Sequence, residues 1–140
     1  MDKRSSLTGL MLEQTAKRIR QYCQRMLSEY QTGITVDQWL VLHALSQADG
    51  QSQLELARKI QKDAPTLTRI IDLLVQKALL ERKNDPADRR KALVFLTAAG
   101  RDKVAEAWPI ILECRHQSFA ALTDAEIDSL IIILGKILPQ

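Results

Sequence analysis

The sequence lacks nearly all the features that mark an enzyme, a secreted protein or a membrane protein. It contains no Gly-rich phosphate loop, no nucleophile elbow and no HExxH pair, so the common residue spacings that carry catalysis are missing. An enzyme is not expected. Cysteine is scarce: Cys23 and Cys114 form no CxxC pair and have no ligand spacing to His43 or His116. Neither a disulfide framework nor a zinc site is indicated, and no metal or cofactor is expected. No apolar run is long enough to span a bilayer, and the opening MDKRSSLTGLML lacks the apolar segment and cleavage site of a signal peptide. A cytoplasmic protein without membrane partners is expected.

Internal repeats and low-complexity segments are also missing, so organisation has to be read from charge and periodicity. The chain has 140 residues, 46% hydrophobic and 26% charged, which fits one globular domain over 1–140. Its formal net charge is +3. From Arg82 to Lys91 five basic residues (Arg82, Lys83, Arg89, Arg90, Lys91) stand against Asp85 and Asp88, again a sum of +3. The rest of the chain is therefore balanced, and the excess sits in one segment. Such a patch fits phosphate, although a solvated turn has the same composition.

Apolar residues at Leu7, Leu10, Met11, Ile19, Tyr22, Cys23, Met26, Leu27 and Tyr30 recur at helical spacing and predict a first amphipathic helix stopped by Gly33. The stretch TVDQ (35–38) reads as a capping box that opens a second helix carrying Trp39, Leu40, Leu42, His43 and Leu45. After the ADGQ turn, SQLE (52–55) reads as another box, followed by a short helix with Leu54, Leu56, Ala57 and Ile60 inward. Asp63 as cap and Pro65 in the first turn open a fourth helix, with Leu67, Ile70, Ile71, Leu74, Val75 and Ala78 on one face. Thr66, Thr68 and Arg69 mark its other face, which suits either a major groove or plain solvent.

LLERK and ALVFLT then read as two strands around a charged loop. Two helices joined by a short turn and followed by a ribbon with a cationic tip describe a winged helix-turn-helix over about 34–98. The expected class is mainly α with a small β-wing, an α+β arrangement. Thr97 caps a fifth helix, which Pro109 should kink or interrupt. LTDAE (122–126) caps a last helix whose run Leu130, Ile131, Ile132, Ile133, Leu134, Ile137 and Leu138 is too apolar for a monomer surface.

DRRKALVFLTAAG resembles the wing of the MarR (multiple antibiotic resistance regulator) family at Asp88, Arg90, Leu96, Thr97 and Gly100, and DAPTLTRIIDLLVQKALLERK is similar to its recognition helix and following strand. The resemblance covers nearly the whole chain. It implies a homodimeric regulator of double-stranded DNA, with helical dimerisation segments at about 5–31 and 108–140 and a pseudo-palindromic operator. On this basis Ala64, Pro65, Thr66, Thr68 and Arg69 meet the major groove. Lys83, Asp88, Arg89, Arg90 and Lys91 form the wing site, with Arg90 in the minor groove held by Asp88. Ser52, Gln53 and Lys62 are expected on the DNA backbone. Two positions depart from the family pattern: Gln61 stands where many members have Gly, and Lys62 where many have an apolar residue. Either the turn has a different shape or Lys62 adds a phosphate contact.

The family often binds small aromatic or amphipathic acids, and Tyr22, Trp39, His43 and Trp108 are the candidate pocket residues beside the competing reading of plain core. Cys23 lies well along the first helix on its apolar face, so a buried structural role is favoured over a peroxide-sensing thiol; Cys114 is read likewise. The leading reading is a ligand-responsive repressor. The alternative is a winged-helix protein-interaction module without specific DNA binding.

Overall fold

The computed structural model describes residues 2–139. The elements run α1 (Lys3–Glu29), α2 (Val36–Gln47), β1 (Gln51–Ser52), α3 (Gln53–Ile60), α4 (Ala64–Gln76), β2 (Leu80–Asn84), β3 (Ala92–Leu96), α5 (Ala98–Phe119) and α6 (Asp124–Lys136). Local chemistry explains most of the boundaries. Thr35 and Gln38 form the expected reciprocal box at the start of α2, and Thr123 and Glu126 form another at α6. Asp63 and Thr97 cap α4 and α5 through their side-chain oxygens. The box expected at α3 is only half made: the Ser52 hydroxyl accepts the Glu55 amide, without the return bond from the Glu55 side chain.

One core joins the elements from α1 to α5. Trp39, Val41, Leu42 and Leu45 of α2 are buried against Leu56, Leu67, Ile71 and Leu74 of α3 and α4, Val94 and Leu96 of β3, and Ala107 and Ile111 of α5. Leu54 was expected inside and is instead 61% exposed. Leu54 and Leu56 are two positions apart, about 200° around a helix, so both cannot face one core, and Leu56 takes the inward place. Ala78, read as the end of the α4 face, lies beyond the helix with φ +59°. It occupies the left-handed position of a Schellman motif: its N–H donates to Val75 O at 2.9 Å, and the Leu79 N–H donates to Leu74 O at 3.0 Å.

The wing is a three-stranded antiparallel sheet in the order β1-β3-β2, not the expected two-stranded ribbon. Leu80 pairs with Leu96 and Asn84 with Ala92, while Gln51 and Ser52 pair with Val94 and Leu93 on the far side of β3. A two-residue strand is too short to leave an alternating pattern in the sequence. Helix α5 passes through Pro109 without interruption. Pro109 and Ala105, whose carbonyl loses its helical donor, are both exposed, so water can satisfy the freed oxygen.

The C-terminal half of α1 packs on α5, burying Cys23, Leu27 and Cys114. Its N-terminal half exposes Leu7, Leu10 and Met11, and α6 buries none of its residues within the chain. Among the described residues no helix is long and apolar enough to cross a membrane.

Candidate nucleic-acid interface

Helix α4 begins with its first polar turn tightly organised. Asp63 Oδ1 accepts the Thr66 N–H and Oδ2 accepts the Thr66 hydroxyl, both at 2.8 Å. These backbone and side-chain bonds from Thr66 hold the Asp63 carboxyl below the usual carboxylate range. The Thr68 hydroxyl donates to Ala64 O at 2.9 Å and accepts from Gln53 Nε2 at 3.1 Å. Each threonine has thus committed its one hydroxyl proton inside the protein. What they offer outward is oxygen lone pairs and methyl groups, which suit amino donors and thymine methyls in a major groove. Ala64 and Pro65 are exposed at the helix start, and Arg69, one turn further on, is exposed with no ion pair or hydrogen bond among the described residues.

Gln53 and Arg82 play a part that the sequence did not disclose. Gln53 Oε1 accepts from Arg82 Nε at 3.2 Å, and Arg82 Nη2 lies 2.5 Å from Asp72 of α4. Thr68, Gln53, Arg82 and Asp72 therefore clamp α3, α4 and β2 into one block. Gln53, expected on the DNA backbone, is used inside this block. Thr68 and Asp72 sit one turn apart on the polar face of α4, a partial sequence signal. Their partners are remote in the chain and invisible to periodicity.

The wing loop is closed by the Asp85 N–H donating to Lys91 O at 2.9 Å. Asp88 Oδ1 accepts the Arg90 N–H at 3.0 Å and faces its Nε at 3.4 Å, so Asp88 fixes the Arg90 backbone while the side chain stays 94% exposed. Arg89 and Lys91 are exposed beside it and carry no ion pair among the described residues. Lys83 is less free: its ammonium is 3.4 Å from Glu81 and 5.1 Å from the centre of the Phe95 ring.

In the helix-turn-helix, Gln61 adopts φ 54° and ψ 50°, so the turn keeps a left-handed residue without glycine. Lys62 is paired with Asp37, its Nζ 3.1 Å from Oδ1, and is not held out toward solvent as a free phosphate donor. Ser52 carries the α3 cap described above.

The four pocket candidates do not share a cavity. Trp39, His43 and Trp108 stack at the junction of α2 and α5, with ring centroids 5.1 Å (Trp39–His43), 5.1 Å (His43–Trp108) and 5.7 Å (Trp39–Trp108) apart. Rings at these separations fill the space between them. Burial, with the nearby Arg115 charge, lowers the His43 pKa, so the ring is neutral at pH 7. Tyr22 lies elsewhere, in a groove of about 650 Å³ between α1 and the α5–α6 corner that is also lined by Arg18, Ile19, Arg25, Phe119 and Leu122. Arg25 stands over the Tyr22 ring at 5.5 Å. The two thiols sit together in the α1–α5 seam, and burial, reinforced by Cys23, pushes Cys114 up to about 11.

Comparison with known proteins agrees with this geometry. A family model described as the MarR family matches residues 34–92. A structure of BpsR from Bordetella bronchiseptica, described as concerning regulation of its DNA binding by 6-hydroxynicotinic acid, is 30% identical. The match covers 94% of this chain and 98% of that one, with a TM-score of 0.86. A mutant of E. coli MarR in complex with operator DNA is 27% identical over 99% of this chain and 100% of that one, with a TM-score of 0.89. The apo wild-type form of E. coli MarR, 28% identical over 94% and 96%, gives 0.78. With a relative at 30% identity matched end to end and the wing and recognition helix in place, the chain belongs to the MarR family.

Proposed function

We propose that the protein is a homodimeric, sequence-specific DNA-binding transcriptional regulator, a ligand-responsive repressor without catalytic activity. The observation that carries this reading is the pairing of a rigidly clamped α4 with a wing tip whose Arg90 guanidinium, in contact with Asp88 only through Nε, is 94% exposed. Arg69, Arg89 and Lys91, without ion pairs among the described residues, and the exposed Arg90 supply cations around a helix whose threonines present acceptors, so phosphate attraction and base readout converge on one face. Ala64, Pro65, Thr66 and Thr68 occupy the major groove in this reading, and Arg90 the adjoining minor groove, where negative potential is strongest.

Dimerisation follows from α6. Ile131, Ile132, Ile133, Leu134, Ile137 and Leu138 are all exposed within one chain, as are Leu7, Leu10 and Met11 of α1, and together they exceed what a monomer leaves in water. A two-fold dimer places two recognition helices one DNA turn apart and calls for a pseudo-palindrome of about 20 bp. The groove beside Tyr22, with Arg18 and Arg25 unpaired among the described residues, supports a small amphipathic acid as effector.

The test is fluorescence anisotropy with the intergenic DNA next to the protein's own gene, alongside sedimentation of the free protein. A dimer that binds one segment at least a thousandfold more tightly than unrelated DNA supports the proposal. A protein that binds no DNA site at low salt yet retains an acidic protein partner would instead be an interaction module.

A further inference from the structure

Three charged side chains from three different elements meet at Asp37. Its carboxylate, in the first turn of α2, accepts from the Arg20 guanidinium of α1 and lies 3.1 Å from the Lys62 ammonium in the turn before α4. Side-chain exposure falls from 44% at Arg20 to 27% at Asp37 and 24% at Lys62, so the lysine end is the more sheltered. Burial alone would raise the Asp37 pKa, but the hydrogen bonds and charges of Arg20 and Lys62 outweigh it and the net shift is downward. The carboxylate is therefore ionised at neutral pH. Nearby, Gln24 of α1 accepts the Val36 N–H through Oε1 at 2.9 Å, which fixes the start of α2 on α1. Lys62 directly precedes Asp63, the cap of the recognition helix. The path from the dimerisation helix to the first residue of α4 is thus a guanidinium, one carboxylate and one ammonium.

A lysine beside a helix-turn-helix invites assignment as a phosphate contact. Here its charge is already answered by a carboxylate, and leaving it would uncover a part-buried Asp37. Among the other cations of the face, Arg69, Arg89 and Lys91 have no ion pair among the described residues, and Arg90 touches Asp88 only at 3.4 Å with its side chain 94% exposed. We infer that Lys62 is a positioning residue: through Asp37 and Arg20 it ties the N-terminus of α4 to α1, and so sets where each recognition helix stands relative to the dimer axis. This rests on the DNA-binding reading above. It deepens that reading by assigning half-site spacing to an ionic strut instead of to the loop backbone alone.

The two possible roles of Lys62 make opposite demands on Asp37. If the strut positions α4, Lys62→Gln and Asp37→Asn both weaken operator binding, and both blunt the preference for the natural spacing over operators with one base pair inserted or removed between half-sites. A loss of about threefold to tenfold for the dimer is expected, since each protomer gives up a modest, part-exposed pair. The double variant should lose little more than either single one, and Lys62→Arg, which keeps the pair, should restore spacing preference. The salt slope on unrelated DNA should stay at the wild-type value, because no phosphate contact is removed.

If Lys62 were a phosphate contact, Lys62→Gln would flatten that slope while Asp37→Asn, by releasing the lysine, would tighten binding. That pair of signs overturns the inference. So does the absence of any effect on affinity or spacing, or additive losses in the double variant. A wild-type protein with no operator preference is seen before any variant is compared; it overturns the DNA-binding reading and the inference together. Thermal melts of each variant at fixed protein concentration separate a shifted helix from a chain that has failed to fold.

Discussion

Replacing Gly100 with alanine tests the packing that seats the wing on α5. Gly100 lies in the first turn of α5, where its N–H donates to the capping Thr97 hydroxyl at 3.0 Å. A Cβ built there would stand 2.1 Å from the Leu79 carbonyl oxygen and 3.1 Å from Leu96 Cδ2. The near atom is backbone, and Leu79 O is already receiving the Thr97 N–H at 3.2 Å, so it cannot simply swing aside. Reaching an ordinary separation requires α5 to move off β2 by about 1 Å, and overpacking of this kind costs roughly 1–3 kcal/mol. Alanine's better helix propensity returns at most about 1 kcal/mol and less in a first turn. A net loss of about 1–2 kcal/mol lowers the melting temperature of a domain this size by roughly 3–7 °C. Calorimetry at fixed protein concentration measures it, and anisotropy should show weaker operator binding, because the strain falls at the base of the wing. A Gly100→Ala protein that melts and binds like wild type would refute the close approach.

Residues elsewhere give further expectations. Ala78→Gly should stabilise the protein by about 0.5–1 kcal/mol in urea melts, since φ +59° penalises a Cβ that glycine lacks. Cys23 and Cys114 should resist a thiol reagent at pH 7.5 in the native state and react only as fast as the chain opens, because both are buried and Cys114 is pushed up to about 11; prompt labelling would contradict their packing. Stability should fall with acid in two stages. His43 has a folded pKa below 6.5, so the unfolded chain takes its proton first and stability declines as pH drops below about 6.5. Asp37, Asp63 and Glu126 have folded values below their unfolded ones, so what they contribute is complete above about pH 4.5 and lost as pH falls through the folded values. Urea midpoints measured from pH 7 to pH 3 check both stages, and His43→Gln should remove only the first.

The helices, their caps and the wing loop were legible because each is specified within a few neighbouring residues. Thr35 with Gln38, Asp63 with Thr66, and Thr97 at the head of α5 all act over one turn. The Asp88–Arg90 arrangement was likewise local. What the sequence concealed is contact between distant residues. Strand β1 has only two residues and is defined by its pairing with β3. The Gln53–Thr68–Arg82–Asp72 clamp and the Arg20–Asp37–Lys62 strut join residues that no window brings together. The aromatic stack was hidden for a related reason: helical spacing placed Trp39 and His43 on one face but could not say that Trp108 would stack against them. Pro109 shows the opposite error, a local rule overruled because solvent satisfies the carbonyl that the ring strands.

Entry of one wing-tip arginine from each protomer into DNA is read out by the salt dependence of operator affinity. Arg90 has a 94% exposed side chain whose backbone is anchored by Asp88, so removing it leaves the fold intact and deletes one cation per protomer. Measured for wild type and Arg90→Ala from about 50 to 200 mM salt, the slope of log affinity against log salt should flatten by about two units for the dimer, near 0.9 for each lost phosphate neutralisation. An Arg90→Ala protein that binds with the wild-type slope would mean that the wing tip makes no such contact.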